Sequence, residues 1–570
     1  MSRKKRRLDN IVIMMCMCTV FFFNVRNISN LDMPCIEFDE FGYWTNGILF
    51  AGKNWSSITS NFVSYYSYGY GLILALIIRS CDNITLSYQI AILFNALMLS
   101  SSVLILCWIC KQMLPNINLS IIAIFSSVAL FYPSTIMNSQ FAWSETVLLF
   151  FFLLTGLFYI KTVKDEKSIY SFILATICFF TYMIHQRSLG ILVSVSLGIL
   201  FAYTNKIIDK KKIIFFIVGM IVMFFIHSYL KDYVYENNWN MKIENEGILE
   251  EKETIGNDYS SQVNNILFCF TPEGVKCFFM GFLGKVYYMS VVSFFLVPEG
   301  IIFLINKIRE NYRKNNSEIF FVLSLFFMIG ISTVFLIYPG RIDTVIYGRY
   351  TDWLIPVFIT WGLINVYNNG VDKKRIIIYI FIFTIYLLLF GGLIKDYNLT
   401  KYFPTCAPAG NYFRILSKGE LGNYWISLMH VCHIFVIGIL YSLFNIFRQY
   451  KYSLLMGVFF VIPWVIEANS SIENTLFIGY KDEMKAIVAD IEKKELEGIY
   501  YLGDDSSEFN LYIGSLQFLL YEKTIRCIKL ESAINIEEGI IIVPKDVQVN
   551  EDLGIKKEYE KFSIFYKGGN

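Results

Sequence analysis

The chain has 570 residues, of which 55% are hydrophobic and only 17% are charged, and its formal net charge is +2. In a soluble protein of this size, roughly a quarter of the residues are charged. Much of the surface of this chain is therefore predicted to face lipid. The small net charge excludes an overall field that would attract nucleic acid. The composition therefore predicts an integral membrane protein.

Apolar stretches that could cross a bilayer recur along the whole chain. A transmembrane helix needs about 20 mostly apolar residues. The first stretch follows the basic N-terminal residues without a small-residue cleavage site, so we expect an uncleaved first helix. The pattern predicts thirteen membrane helices, near residues 11–25, 87–110, 119–137, 141–160, 169–185, 188–204, 213–230, 278–305, 317–338, 350–367, 376–394, 423–447 and 453–468.

Lysines and arginines concentrate in every second connection between these stretches, beginning with Arg3–Arg7. Cytoplasmic connections carry the excess of positive charge, so the N-terminus is predicted to be cytoplasmic. The alternate short connections carry little besides Arg187, Arg341 and Arg349. This alternation holds only if the segment 62–79 does not cross the membrane. The tyrosines of that segment favour a position at the outer membrane interface instead.

The first extracytoplasmic loop then spans 26–86, within a transmembrane domain covering 1–469. Residues 470–570 have a soluble pattern and are predicted to form a small extracytoplasmic α/β domain. Its expected strands are Thr475–Tyr480, Ile499–Leu502, Ile525–Leu530 and Ile540–Val543, with an amphipathic helix at Lys481–Leu496.

An acidic pair, Asp39 and Glu40, stands in the aromatic segment Phe38–Trp44 of this first loop. The segment fits a short amphipathic helix at the membrane surface. A partly desolvated carboxylate there could act as a general base on an acceptor hydroxyl. The alternative is an interfacial helix whose two acids are merely solvated, and the spacing alone leaves both open.

Three cations, Arg187, Lys285 and Arg349, fall at the level of the outer leaflet. Ionisable groups at that depth face cavities or partners, and together these three could clamp a phosphate headgroup, for which arginine is well suited. The alternative for each one is a side chain that extends to the interface. Together with the acidic loop, the three favour an anion site.

Other polar residues allow more than one interpretation. Glu145 could reach the same cavity or could simply complement the dipole at the start of its helix. Cys269 and Cys277 flank an outward segment and could form a disulfide, although no wider cysteine framework accompanies them. The twelve cysteines show no metal-ligand spacing. No cofactor is expected, and a divalent metal is possible but is not supported by the sequence.

Several short motifs, in this order and on this side of the membrane, resemble the GT-C glycosyltransferases that use polyprenyl-phosphate sugars. That group includes the lipid A aminoarabinose transferase and the protein O-mannosyltransferases. The matching motifs are Asp39-Glu40, Gly52–Trp55, Trp143–Glu145, His185–Gly190 and Gly348–Tyr350 leading to Pro356. Thirteen spans followed by an outward soluble domain also match the aminoarabinose transferase.

The resemblance implies transfer of a sugar from a polyprenyl-phosphate donor to an extracytoplasmic glycan, lipid or protein, with inversion, in a bacterial cell membrane. Asp39 would be the general base, with Glu40 beside it for positioning. The implied donor-phosphate residues are Arg187, Lys285, Arg349 and Tyr350, and further residues that could reach the cavity are Glu145, His185 and Tyr287.

The chain departs from this group at two places. Phe41-Gly42-Tyr43 stand where relatives often carry a basic residue, and Tyr65–Tyr70 replaces a proline-rich step. Two other functions remain open. A membrane polysaccharide polymerase or ligase would use outward arginines such as Arg341 and Arg349. A non-enzymatic transporter of lipid-linked glycans would show inverted repeats and helices that are broken near the middle of the membrane. The sequence shows neither feature.

Overall fold

A computed structural model gives the fold of the chain. It describes residues 3–35, 37–239, 259–337, 344–371, 373–396, 438–439, 441–443, 445–446, 453–476, 480–494, 496, 498–503, 507–549 and 553–568. Arg341 and most of the predicted span at 423–447 lie outside these residues.

Helices account for most of the described chain up to the C-terminal region. Those of the first half are α1 (Arg3–Val25), α2 (Glu37–Ala51), α3 (Ser56–Phe62), α4 (Gly69–Arg79), α5 (Ile84–Met113), α6 (Leu119–Leu130), α7 (Pro133–Ser139), α8 (Glu145–Lys164), α9 (Ile169–Ile184), α10 (Leu189–Thr204) and α11 (Lys210–Val234). Those that follow are α12 (Tyr259–Phe268), α13 (Pro272–Val292), α14 (Leu296–Glu310), α15 (Asn316–Phe335), α16 (Arg349–Asp352), α17 (Ile355–Asn369), α18 (Lys373–Asp396) and α19 (Ser453–Leu476).

Seven helices in the described part of the chain are long and apolar enough to cross a membrane, or up to eight if the bent pair α6 and α7 forms one span. The chain is therefore a multi-pass membrane protein, although the structure does not establish the predicted number of thirteen. The predicted span at 278–305 is divided between α13 and α14. Phe294 and Phe295 adopt left-handed backbone conformations at this break, which interrupt the helical path.

The segment 62–79 contains α4, whose eleven residues extend only about 16 Å along the helix axis. The hydrocarbon core is about 30 Å thick. A helix of this length cannot cross it alone, which agrees with the prediction that 62–79 is not a full span.

The C-terminal region forms a five-stranded sheet with the strand order β2-β1-β3-β5-β4. Its strands are β1 (Ile499–Leu502), β2 (Ile525–Ile528), β3 (Gly539–Pro544), β4 (Ile555–Glu558) and β5 (Phe562–Lys567). The first three strands pair in parallel, whereas β5 runs antiparallel to both β3 and β4. The helices of this region are α20 (Tyr480–Glu492), α21 (Ile513–Leu519) and α22 (Leu530–Ile534).

The strand predicted at Thr475–Tyr480 is wrong. Helix α19 continues through Leu476 and α20 begins at Tyr480, while 477–479 lie outside the described residues. A short apolar run has no periodicity that separates a strand from a helix end. The other three predicted strands correspond to β1, β2 and β3.

The C-terminal region packs against the helices of the first loop. Trp44 of α2 is fully buried between the rings of Tyr88 and Phe518, whose centroids lie 5.8 and 5.1 Å away. The backbone N–H of Cys527 on β2 donates to the hydroxyl of Ser57 on α3 over 2.8 Å. The sheet region therefore supports the side of α2 and α3 that faces it, and so helps to fix the orientation of α2.

Candidate functional site

The connections between helices converge on a cavity of about 170 Å³. Its wall combines side chains from the start of α2, the link between α3 and α4, the turn between α9 and α10, and the start of α16. The lining residues are Asp39, Tyr43, Tyr65, Tyr66, Ser67, His185, Gln186, Arg187, Phe335, Tyr347, Arg349 and Tyr350. Residues far apart in sequence thus meet at one polar, aromatic pocket.

Arg349 holds two carboxylates at the centre of this site. Its Nη1 donates to Oδ2 of Asp39, and its Nε donates to Oε1 of Glu145 over 3.1 Å. The guanidinium carbon lies 4.5 Å from the centroid of the Trp143 ring. The side chains of Arg349 and Glu145 are only 11% and 4% exposed, so little solvent screens the two ion pairs. Both acids lie in the first turn of their helices, where the helix dipole favours negative charge.

The other oxygen of Asp39, Oδ1, accepts a hydrogen bond from the hydroxyl of Tyr66. Burial alone would raise the pKa of Asp39, but the charge of Arg349 and the bond from Tyr66 outweigh it and hold the pKa below its ordinary value. Asp39 is therefore ionised at neutral pH and can accept a proton.

Arg187 supplies the second cation of the cavity. Its guanidinium carbon lies 3.2 Å from the centroid of the Tyr350 ring. Among the described residues, no carboxylate lies within ion-pair distance of Arg187. The charge of Arg349 is thus matched by two acids, whereas that of Arg187 is available to an anionic ligand.

His185 lies beside Arg187. Its Nδ1 accepts the backbone N–H of Arg187 over 3.2 Å, and its Nε2 lies 3.4 Å from Nη1 of Arg187. Both ring nitrogens therefore face Arg187, and the ring helps to fix the position of the guanidinium in the cavity wall.

Glu40 does not line this cavity, although it neighbours Asp39. Its fully buried carboxylate accepts hydrogen bonds from the backbone N–H of Cys35, the hydroxyl of Tyr88 and the backbone N–H of Ala142, over 2.6, 2.6 and 2.7 Å. It joins α2 to the preceding loop, to α5 and to the segment before α8.

We expect Glu40→Gln to destabilise the protein by about 2 kcal/mol. The side-chain NH₂ of glutamine is itself a donor, so at least one of the buried donors that now bind the carboxylate would lose its acceptor. Thermal unfolding in detergent would measure this loss. The isosteric Asp82→Asn, in the exposed link before α5, should leave the unfolding temperature unchanged. An unfolding temperature of Glu40→Gln equal to that of wild type would contradict a structural role for this carboxylate.

Lys285 and Tyr287, both on α13, are buried and are not among the residues that line the cavity. The ammonium of Lys285 lies 3.5 and 3.4 Å from the carbonyl oxygens of Gly281 and Thr344. The ring of Tyr287 packs against that of Tyr386, with 5.1 Å between centroids. Of the residues predicted for the site, the structure therefore brings together Asp39, Glu145, His185, Arg187, Arg349 and Tyr350, and it leaves Glu40, Lys285 and Tyr287 outside the cavity wall.

Sequence reasoning missed the polar residues of the link between α3 and α4. The sequence indicates Tyr66 only as part of a tyrosine-rich interfacial run and Tyr43 only as a flank of the acidic pair. The hydroxyl of Tyr43 lies 2.8 Å from that of Ser144, next to Glu145. The available signal was the departure of 65–70 from the resembled group, which placed unusual hydroxyls in a loop already suspected of function.

Comparison with solved structures identifies the architecture. ArnT from Cupriavidus metallidurans bound to undecaprenyl phosphate superposes with a TM-score of 0.51 at 10% sequence identity, covering 97% of both chains. The apo structure of ArnT from the same organism gives 0.50 at 10% identity, covering 94% of this chain and 93% of that one. This chain has the GT-C fold.

The GT-C fold accounts for the helical membrane region and the small C-terminal sheet together, because the superposition with ArnT extends over nearly the whole length of both chains. No protein-family model matches the sequence, and no curated protein matches it either. Within the described ranges, no group of three or more His, Cys, Asp and Glu side chains could hold a metal ion.

Proposed function

We propose that this protein is a membrane glycosyltransferase that moves a sugar from a polyprenyl-phosphate donor to an acceptor hydroxyl on the extracytoplasmic side. One observation carries the proposal: Asp39, Arg187 and Arg349 line the same cavity. A carboxylate that can take a proton and a cation that can hold a phosphate are the two chemical requirements of the reaction. Nucleotide sugars are made in the cytoplasm, so an enzyme acting outside needs a donor delivered by lipid.

The donor phosphate binds at Arg187. This guanidinium is not matched by a described carboxylate, it is stacked on Tyr350, and one of its nitrogens lies 3.4 Å from Nε2 of His185. The planar guanidinium can make two charge-assisted contacts with the leaving phosphate and stabilise the negative charge that develops on it. ArnT, which shares the fold, has been crystallised with undecaprenyl phosphate, and this supports a ligand of the same class here.

The transfer itself is a single displacement. The acceptor hydroxyl gives its proton to the carboxylate of Asp39, and its oxygen forms a bond to the anomeric carbon of the sugar. The bond from that carbon to the phosphate oxygen breaks, and polyprenyl phosphate leaves with the electron pair. Attack opposite the leaving group inverts the anomeric carbon, and no covalent enzyme intermediate is required.

Membranes containing the protein should transfer sugar from at least one member of a panel of polyprenyl-phosphate monosaccharides. Oligosaccharides linked through a pyrophosphate should be inactive, whereas the polymerase or ligase alternative predicts the reverse. Transfer from neither donor class, with folded protein present, would contradict the proposal.

Arg187→Gln should reduce kcat/KM for the best donor by about 100-fold, because one cation is lost where phosphate charge develops. Arg187→Lys should recover part of this loss, since it keeps the charge without the planar two-pronged contact. Arg79→Gln is a matched control: this exposed arginine at the end of α4 lies outside the cavity wall. Equal activity of Arg187→Gln and Arg79→Gln would place the phosphate elsewhere.

A further inference from the structure

The two positions at which the sequence departs from the group that it resembles are in contact in the folded protein. The ring of Tyr66 lies directly on the backbone of α2 at Gly42. A Cβ atom added to Gly42 would overlap this ring, with Cγ of Tyr66 only 2.7 Å away. Because only glycine leaves room, the ring can approach α2 closely enough for its hydroxyl to reach Asp39, one helical turn earlier.

Further contacts fix Tyr66 on its other sides. Its carbonyl oxygen accepts a hydrogen bond from the side chain of Asn46 over 3.0 Å, and its ring meets the edge of Tyr43 at 5.3 Å between centroids. The hydroxyl of the next residue, Ser67, accepts the backbone N–H of Gln186 over 3.1 Å. The link between α3 and α4 is thus tied both to α2 and to the turn that carries Arg187.

We propose that Tyr66 is a positioning residue that holds Asp39 in the orientation needed to accept the proton of the acceptor. This inference rests on the proposed function. The Tyr66 hydroxyl binds Oδ1 while Arg349 binds Oδ2, so the carboxylate plane is held from both sides. A carboxylate can accept about four hydrogen bonds; each oxygen keeps an acceptor position, and the acceptor hydroxyl can bind without displacing either partner.

The test compares two changes that act on this contact in different ways. Tyr66→Phe removes the hydroxyl but keeps the ring on Gly42, and Gly42→Ala pushes the ring away from α2. Matched controls are Tyr229→Phe, whose side chain is 73% exposed on α11, and Gly330→Ala, where an added Cβ would meet no atom within 4 Å.

Both test variants should lower kcat by roughly 10- to 100-fold, because small misplacements of a catalytic group cost that much, and should leave the donor KM unchanged. In Tyr66→Phe the acid limb of the pH profile should also move to higher pH, since the lost bond favoured the ionised carboxylate. The charged and titratable groups around Asp39 other than Tyr66 are Arg349, Arg187, Tyr43 and, through Arg349, Glu145, and His185 lines the same cavity. These remain in the variant, so the shift reports on Tyr66 alone. A purely structural role would lower the yield of folded enzyme without moving this limb.

Asp39→Asn in the same assay separates the two proposals. An inactive Asp39→Asn together with a Tyr66→Phe that matches Tyr229→Phe in kcat and pH profile would overturn the positioning role and leave the proposed function intact. A fully active Asp39→Asn would overturn the base itself, and the positioning role with it.

Discussion

Asp39→Asn should reduce sugar transfer by about 10²- to 10⁴-fold, the range that a general base contributes. The amide has nearly the same shape, so the helix and the cavity wall are retained, but it cannot accept the acceptor's proton. In the wild-type protein the pKa of Asp39 lies below its ordinary value, so the carboxylate is ionised throughout the neutral range. Transfer from the best polyprenyl-phosphate sugar, expressed per mole of folded protein, measures the effect.

Asp32→Asn is the control for removing a carboxylate from the same loop. Asp32 forms an ion pair with Lys485 in α20, outside the cavity wall, and its amide variant should transfer sugar at the wild-type rate. Binding of polyprenyl phosphate should survive in Asp39→Asn, because the proposed phosphate site is at Arg187. Wild-type turnover by Asp39→Asn would show that Asp39 is not the base. Loss of polyprenyl-phosphate binding in this variant would show that Asp39 acts in binding the donor.

The pairing of Asp39 with Arg349 could be predicted only in outline. Charge alternation assigned both residues to the same side of the membrane, and the resemblance assigned them to one site. Their direct contact joins positions 310 residues apart in the sequence, and no local spacing encodes a contact of that kind. The sequence therefore indicated that Asp39 and Arg349 share one site, but not that the arginine would be bound by two acids.

Glu40 shows a limit of helical geometry as a guide to the site. Successive residues on an α-helix point about 100° apart, so two adjacent acids can face different surroundings. In α2, Asp39 lines the cavity and Glu40 does not. Which one does so depends on packing: Trp44 is buried between Tyr88 and Phe518, and this turns Glu40 inward.

Lys285 illustrates a different limit. Its predicted depth in the membrane came from its position within an apolar stretch, but such a stretch has no polar face that would indicate the direction of one side chain. In the structure its ammonium group faces the carbonyl oxygens of Gly281 and Thr344.

The break after α13 could not be predicted from the sequence either. Phe294 and Phe295 are apolar residues whose left-handed conformations depend on tertiary packing.

Arg349→Met should destabilise the protein by about 3–5 kcal/mol, the usual cost of removing one partner from a buried ion pair. The variant leaves Asp39 and Glu145 as neighbouring unpaired carboxylates in a site that excludes most water. Thermal unfolding in detergent should show a large decrease in the midpoint, and transfer should fall with it because Asp39 loses one of the two contacts that orient it.

Removing the charge of Glu145 tests whether this loss arises from the unpaired acids. In the double variant Arg349→Met/Glu145→Gln, only one carboxylate remains without its cation, so the double variant should unfold at a higher temperature than Arg349→Met alone. Transfer should remain low, since Asp39 is still held on one side only. The outcome against this account is that Glu145→Gln lowers the midpoint of Arg349→Met by as much as it lowers that of wild type. The two side chains would then not be energetically coupled, and the ion pairs of Arg349 would not be what stabilises this site.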